Sequence, residues 1–551
     1  MSLHQEEIGA IPEETARIAK AVFRQGNLCL RLRDVLGTIY DNQAFADLFA
    51  KMGRPAEAPW RLALVCILQY VEDLSDRQAA EAVRARIDWK YLLGLDLSDE
   101  GFDFTLLTDF RARLLEGQAE ARIFEHLVQR LSDEGWIKKR GIQRTDSTHV
   151  LAAVRRLNRV ELLGETLRAA LNALAEYAPE WLQAWVPAEW FERYSRRIEE
   201  WRLPGAKDRQ EQLMDEIGRD GLRLLTEVLK APSGQELRLL PVVEGLRRIW
   251  VQQFFWQEGR LCLRNKDDLP PAHLTLRSPY DHDAHYGHKR DFSWYGYKVH
   301  FTETCDEELP HLITHVVTTD ATKTDMEQTR EIHEALAARE LLPETHVVDA
   351  GYVDAPEILH SRSTYDIELL GPVSQNNQWQ TKAAQGYDLS GFSVQWESQH
   401  ATCPQGKESV KWTEGTDQHG QPNISIRFGL QECRECPCRS LCTHSATAPR
   451  MLTIRPQAEF EILQEARKQQ QTETFRQRYA VRSGIEGTHS QAVRALGLRR
   501  TRYLGFRKTA LDHQFTAAAI NVIRLDAFLE ERHPTKTRTS RFAALASKKV
   551  S

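Results

Sequence analysis

Apolar positions across the first 135 residues recur at helical spacing, which predicts an all-helical N-terminal part. Arg61 to Val71 forms an apolar-rich run, and Leu74 to Val83 forms a second, shorter helix that Ser75 can cap. Two short helices joined by a tight turn fit a helix-turn-helix, a pattern that plain helical bundles share. Ile142 to Asp146 has the length of a short strand, but its alternation is too thin to define one unaided. From about Leu157 to Gln257 the pattern is helical throughout and rich in Trp, Leu and Glu. It is broken at Pro187, Pro204-Gly205 and Pro232, and predicts an inserted helical subdomain.

β signals come next. Trp294 to Thr302 alternates in part, Leu312 to Thr319 is β-branched, His346 to Val348 leads into Asp349, and Ile367 to Leu370 ends at Gly371-Pro372. A helical segment, about Met326 to Leu341, separates the second and third of these. Strands with an intervening helix and mixed connections indicate an α/β core. Glu459 to Val493 is then helical, and Asp512 to Glu530 is an apolar closing helix.

At 551 residues the chain predicts two to four domains, or one core with large insertions. With 41% hydrophobic and 27% charged residues it has the composition of a folded protein. The opening segment lacks a basic start followed by an apolar run, and no stretch of eighteen uncharged apolar residues occurs. The expectation is a soluble, cytoplasmic protein without a membrane segment.

The net charge of -5 alone speaks against a nucleic-acid partner, but its distribution changes the picture. From Glu486 to Lys508 the only acid is Glu486, against Arg494, Arg499, Arg500, Arg502, Arg507 and Lys508. The tail after Glu531 adds Arg532, Lys536, Arg538, Arg541, Lys548 and Lys549. Such clusters suit a phosphate backbone; a solvated helix face and a loose tail would look the same.

Three carboxylates have the right surroundings for chemistry. Asp349 follows Val347 and Val348 and precedes Ala350-Gly351-Tyr352, so it closes a buried strand where open α/β sheets place ligands. Asp354 to Glu357 has capping-box spacing, which leaves Asp349 as the end of the strand and gives the helix cap to Asp354. Asp146 closes Gly141 to Thr145 in a similar way, although Thr145-Asp146-Ser147-Thr148 would also cap a helix. Tyr479, Arg482 and Glu486, three and four residues apart, share one face of a helix, so Arg482 can orient the Glu486 carboxylate. Gly484 and Gly487 oppose that helix, and close approach of another backbone or of DNA would explain them.

Read together and in order, the segments around Asp146, Asp349 and Tyr479-x-x-Arg482-x-x-x-Glu486-Gly487 resemble the three catalytic motifs of bacterial insertion-sequence DDE transposases. The similarity extends to the helical N-terminus, Gly296-Tyr297-Lys298, and the stretch from Leu498-Arg499-Arg500 to Ala519-Ile520-Asn521. The resemblance implies an RNase H-like fold whose first and fourth strands lie side by side so that their acids meet, with the Glu on an adjoining helix. Asp146, Asp349 and Glu486 would hold two Mg²⁺ (or Mn²⁺), a donor set that suits hard divalent cations. The implied activity is cleavage at transposon ends and transfer of the freed 3′-hydroxyl into target DNA. The implied partners are double-stranded DNA, both terminal inverted repeats and target, and a second copy of the chain, with a nucleoid-associated location. Lys298, Tyr479, Arg482, Arg494, Arg499, Arg500 and Arg502 would contact DNA. One departure stands out: the family pattern often has Lys seven residues after the Glu, where this chain has Val493 followed by Arg494.

Two other readings remain. A transposase-derived DNA-binding protein that no longer cuts is disfavoured by the presence of all three acids. A nuclease that hydrolyses without joining leaves no separate mark in sequence. Asp320 and Asp325 compete weakly for the second carboxylate position. His282, His285 and His288, with Asp281, Asp283 and Asp291, read as a solvated loop rather than a metal site.

Of nine cysteines, Cys29, Cys66, Cys262 and Cys305 are scattered. Cys403, Cys433, Cys436 and Cys442 have the spacing of a closed structural Zn²⁺ site, with Cys438 or His444 as a possible replacement ligand. The predicted organisation is a helical DNA-binding domain at 1–135 and an RNase H-like mixed-sheet core from 136–150, 275–385 and 455–530. Around these lie an all-α insertion at 151–274, a zinc-ribbon-like Cys-rich insertion at 386–454 and a basic tail at 531–551.

Overall fold

The computed structural model describes residues 2–3, 8 and 10–532, apart from 202, 232, 290, 376–378, 383–385 and 419. The basic tail and the break at Pro232 therefore fall outside the described residues, except for Glu531 and Arg532.

The N-terminal part is helical as expected: α1 (Glu13–Val22), α2 (Leu28–Leu36), α3 (Pro59–Glu72), α4 (Asp76–Ala85), α5 (Ile87–Leu93), α6 (Thr105–Glu116) and α7 (Arg122–Asp133). A helix that is apolar on all sides must be enclosed, and α3 is buried at nearly every position from Pro59 to Tyr70. Ser75 caps α4 in a reciprocal capping box with Gln78.

Strand β1 (Ile142–Leu151) runs five residues past the expected end. The insertion that follows holds α8 (Arg159–Tyr177), α9 (Pro179–Gln183), α10 (Ala188–Tyr194), α11 (Lys207–Lys230), α12 (Gly234–Leu239) and α13 (Pro241–Gln253). Its apolar stripes close on a core of their own around Leu163, Leu167, Ile217, Leu224 and Leu246. The helical pattern does not hold to Gln257, because β2 (Phe254–Gln257) and β3 (Arg260–Leu263) form a hairpin. Glu258 and Gly259 at its tip have φ of 49° and 73°, the pair of left-handed residues that a tight hairpin turn requires.

The central sheet is completed by β4 (His285–Lys289), β5 (Phe292–Thr304), β6 (Ile313–Asp320), β7 (Thr345–Val348) and β8 (Glu368–Leu370), with α14 (Gln328–Ala337) and α15 (Ala355–Tyr365) between its later strands. The order is β6-β5-β1-β7-β8, and β4 folds back on β5 as a hairpin. β5 is antiparallel to β1 and β6, whereas β7 runs parallel to β1 and β8 parallel to β7. This mixed sheet is consistent with an RNase H-like core, in which the first and fourth core strands, β1 and β7, are neighbours. The segment around His285, read as a loop, is instead strand β4, and His285 is paired with Asp320.

The Cys-rich insertion contains α16 (Trp379–Lys382), β9 (Ser393–Gln395), β10 (His400–Thr402), β11 (Ser409–Thr416), β12 (Pro422–Phe428), α17 (Leu430–Arg434), α18 (Arg439–Cys442) and β13 (Met451–Ile454). Its three-stranded sheet β11-β12-β13 packs Ile426, Phe428 and Leu452 on Phe392 and Ala401. The helix expected from Glu459 to Val493 is divided into α19 (Gln457–Gln469), α20 (Glu473–Tyr479), a 3₁₀ turn (Ala480–Ser483) and α21 (Gly484–Ala495). Thr472 restarts the chain by accepting a hydrogen bond from the Phe475 N–H. Helix α22 (Phe506–Leu529) closes the fold.

α22 lies between the N-terminal helices and the sheet. Its Phe515 stacks on Tyr70, whose hydroxyl donates to Asp512, while its Asn521 donates to and accepts from the Ile313 main chain. The N-terminal helices and the sheet share one continuous core. Among the described residues, no helix is long and apolar enough to cross a membrane.

Candidate active site

β1 is a buried strand of polar residues, and every one near the site has a partner. Gln143 donates to the Leu341 carbonyl and accepts from Thr314, and Thr145 meets Thr302 and His346. Arg144 pairs with Glu303, which is directly opposite it on β5. Side chains alternate across a strand, so Asp146 lies on the Arg144 face, opposite Phe301.

The parallel register pairs Thr145 with Val348, so Asp349 emerges beside Asp146. Asp349 stands just beyond the strand and does act as a cap, contrary to expectation: its carboxylate accepts the Gly351 N–H at 2.9 Å and starts a one-turn 3₁₀ helix. Asp354 caps α15 as predicted, accepting from the Glu357 N–H.

Glu486 arrives from α21, which is fastened to the same sheet face by a buried acid. Glu303, with 0% side-chain exposure, pairs with Arg144 at 2.6 Å and with Arg524 of α22 at 2.7 Å. Thr488, two residues after Glu486, donates to Glu303 at 2.6 Å. At Gly484 the close approach is that of a side chain: a Cβ would lie 2.1 Å from Nη1 of Arg144. Gly487 faces open space.

The three acids converge on one cation. Arg482, in the 3₁₀ turn before α21, lies 2.6 Å from Asp146, 3.5 Å from Asp349 and 3.0 Å from Glu486. Exposure rises from Asp146 (9%) through Asp349 (34%) to Glu486 (66%), so the cluster is floored by the sheet and opens outward. Burial pushes the Asp146 carboxyl up to about 6, against the opposing pull of Arg482, the Ser147 N–H and Lys289, while Asp349 adds to the push. Tyr479 ends α20 next to the cluster, half-buried and stacked on Phe475.

As a donor set, three carboxylates that already share one positive charge fit hard divalent cations. Among the described residues no three His, Cys, Asp or Glu side chains stand together as a ready coordination sphere. The Arg482 guanidinium stands where the carboxylates meet.

The other predicted DNA contacts are scattered around this centre. Lys298 is tied to Asp325 at 3.1 Å and to the Lys323 carbonyl. Arg499 donates to Thr148 and to the His149 carbonyl, Arg502 pairs with Asp73, and Arg494 and Arg500 are exposed. Asp320 is held by His285, outside the trio. Asp325 reaches the edge of the site, accepting from the Ser147 hydroxyl at 3.1 Å.

Sequence reading missed Glu303 and His489. Glu303 sits at the end of a strand whose Tyr-Lys-Val-His-Phe-Thr pattern drew attention to other residues. His489 lies one turn beyond Glu486, a Glu-x-x-His spacing that could have drawn attention to it. Its ring stacks on Phe301, and burial holds its pKa down to about 4 against the opposing pull of Glu303 and the Asp146 backbone.

Cys403, Cys433, Cys436, Cys438 and Cys442 line one cavity of about 320 Å³. All five are free thiols, and among the described residues no three of them stand together as a ready metal-binding group. Burial raises the Cys442 thiol, with Cys433, Cys403 and Cys436 contributing. His444 is turned away, stacked on Trp379.

Two acids from adjacent strands and a third from the helix above thus form one carboxylate cluster. Residues 402–526 match the transposase DDE domain, and residues 18–113 match a transposase domain, DUF772. Together these matches indicate an insertion-sequence DDE transposase. Glu486 lies inside the first match, whereas Asp146 and Asp349 lie outside both. No curated protein and no solved structure matches the chain significantly.

Proposed function

We propose that this chain cuts DNA at the ends of an insertion sequence and joins the freed 3′-hydroxyl to target DNA, using Asp146, Asp349 and Glu486 to hold two Mg²⁺. The observation that carries this reading is the convergence of three carboxylates, from residues 146, 349 and 486, on the single Arg482 guanidinium. Bound there, divalent cations would activate the attacking hydroxyl or water and stabilise the leaving oxygen. The chain's own contribution is placement. β1 and β7 fix the two aspartates, Glu303 fixes α21, and Arg482 stands ready to exchange its carboxylates for a DNA phosphate. Arg494, Arg499, Arg500 and Arg502 supply further positive charge, with the N-terminal helices as the second DNA-binding element and a dimer to pair two ends.

The test is a Mg²⁺-dependent assay that follows both cleavage of end DNA and joining of a 3′-hydroxyl end. Asp349→Asn is expected to abolish both while retaining DNA binding. Cleavage that survives this change removes Asp349 from the reaction, and cleavage without joining leaves a nuclease.

The Cys-rich insertion is proposed to take one structural Zn²⁺ on Cys403, Cys433, Cys436 and Cys442. The shared cavity and the Lys407 N–H directed at the Cys403 sulfur, 3.4 Å away, support this. Native mass spectrometry showing no zinc in protein purified without chelator would reject it.

A further inference from the structure

β1 does not stop at the acids. It continues to Leu151, where its main chain is bridged to the segment after α21: the Leu151 N–H donates to Arg499 at 2.9 Å, and Thr501 donates to Leu151 at 3.0 Å. This bridge fixes Arg500 at the mouth of a cleft of about 470 Å³, a volume in the range of ligand sites. The cleft is lined by Arg155, Arg156, Arg500, Tyr286, Trp294 and Tyr295, with Leu151 to Val154 and Ser293 between them, and none of its lining residues is acidic. That contrasts with a chain of net charge -5. Arg155 is paired with Glu161, and the Arg156 guanidinium lies 5.9 Å from the centre of the Tyr286 ring. Arg156 and Arg500 are exposed.

Arginines facing flat aromatic and apolar walls suit a ligand that is anionic at one edge and flat at another. A nucleotide is such a ligand. Position narrows the choice. Asp146 and Leu151 are five residues apart on one strand, about 17 Å at the usual rise of about 3.3 Å per residue. A nucleic-acid strand advances about 3.4 Å per nucleotide, so the cleft lies about five nucleotides from the acids.

We propose that this cleft is a DNA subsite, in which the strand being processed at Asp146 lays its phosphates on Arg156 and Arg500 and its bases against the Tyr286 wall. This rests on the reading of the acids as a DNA-processing centre and adds the path that DNA takes away from it.

The test is a salt titration of DNA binding by fluorescence anisotropy, with a labelled duplex of about 30 base pairs and mixed sequence. Each phosphate contact contributes about 0.9 to the slope of log affinity against log salt. Arg156→Ala/Arg500→Ala is therefore expected to flatten the slope by roughly 2 relative to the unaltered chain, and Arg156→Lys/Arg500→Lys to restore it. Both side chains are exposed, and an unchanged melting curve checks that the fold is retained. Should the double variant melt early, the single variants, each expected to lose about one unit, carry the test. An unchanged slope in a folded variant overturns the subsite while DNA binding and Mg²⁺-dependent cleavage by the unaltered chain leave the transposase reading standing. Failure of the unaltered chain to bind the duplex overturns both.

Discussion

Arg482 and Asp146, 336 residues apart in the chain, stand 2.6 Å from one another at the centre of the site. The same guanidinium also reaches Asp349 and Glu486, so a protein side chain supplies the charge that would otherwise come from bound cations. Carboxylates this close repel one another without a cation between them. Arg482→Gln is expected to lower thermal stability without metal, and Mn²⁺ is expected to recover more stability in the variant than in the unaltered chain. Mn²⁺ binding followed by electron paramagnetic resonance should be tighter in the variant. Equal binding in both would mean that Arg482 does not compete for the acids.

Glu303 anchors Arg144, Arg524 and Thr488 together. Removing one partner from a buried charge cluster costs about 3–5 kcal/mol because the others are left uncompensated. Glu303→Ala should therefore lose about that much in denaturant unfolding, and cleavage should fall because α21 is no longer pinned. A loss near zero would show that the two arginines find other partners.

Gly484 and Gly487 should respond in opposite directions to alanine. At Gly484 the new methyl group would meet the Arg144 guanidinium, which Glu303 and the Val481 carbonyl hold in place. Overpacking of this kind costs about 1–3 kcal/mol. At Gly487 nothing lies within 4 Å, so Gly487→Ala should gain up to about 1 kcal/mol from helix propensity. Chemical denaturation of both variants decides it, and a stabilised Gly484→Ala would contradict the packing described.

The His285–Asp320 pair gives stability a pH window. Burial opposes charge on His285, but Asp320 and the Asp283 carbonyl outweigh it and raise the imidazole above its ordinary 6.5. Burial likewise opposes charge on Asp320, yet His285 and Thr322 hold it below 3.8. The His285 contribution is complete below pH 6.5 and is lost as pH rises through the raised value; that of Asp320 is complete above 3.8 and is lost as pH falls through the lowered one. Melting temperature should therefore decline as pH is raised from 6.5 toward 8, and this part of the decline should vanish in Asp320→Asn. An identical profile in the variant would exclude the pair as its source.

Much of this was legible in the chain. Val347-Val348-Asp349 and the Leu312 to Thr319 run advertised β7 and β6 through β-branched residues, and the Tyr479-Arg482-Glu486 spacing anticipated the Arg482–Glu486 pair. β1 was the hard case. Both its faces are buried and both carry polar residues, Gln143 and Thr145 on one and Arg144 and Asp146 on the other, so no hydrophobic alternation marks it; burial there is compensated by distant partners such as His346 and Glu303. β4 was hidden in a His- and Asp-rich stretch, where His285 is matched by Asp320 across the sheet. Cysteine spacing marked out a cluster whose five thiols line one cavity.

α22 is held by Tyr70 and Arg31 of the N-terminal helices on one side and by Glu303 and Ile313 of the sheet on the other. With one rod clamped by both parts, a swing of either about the other would have to break these contacts. On the proposed function, a duplex held by the N-terminal helices would then meet the acids at a reach set by α22, as on a fixed gauge.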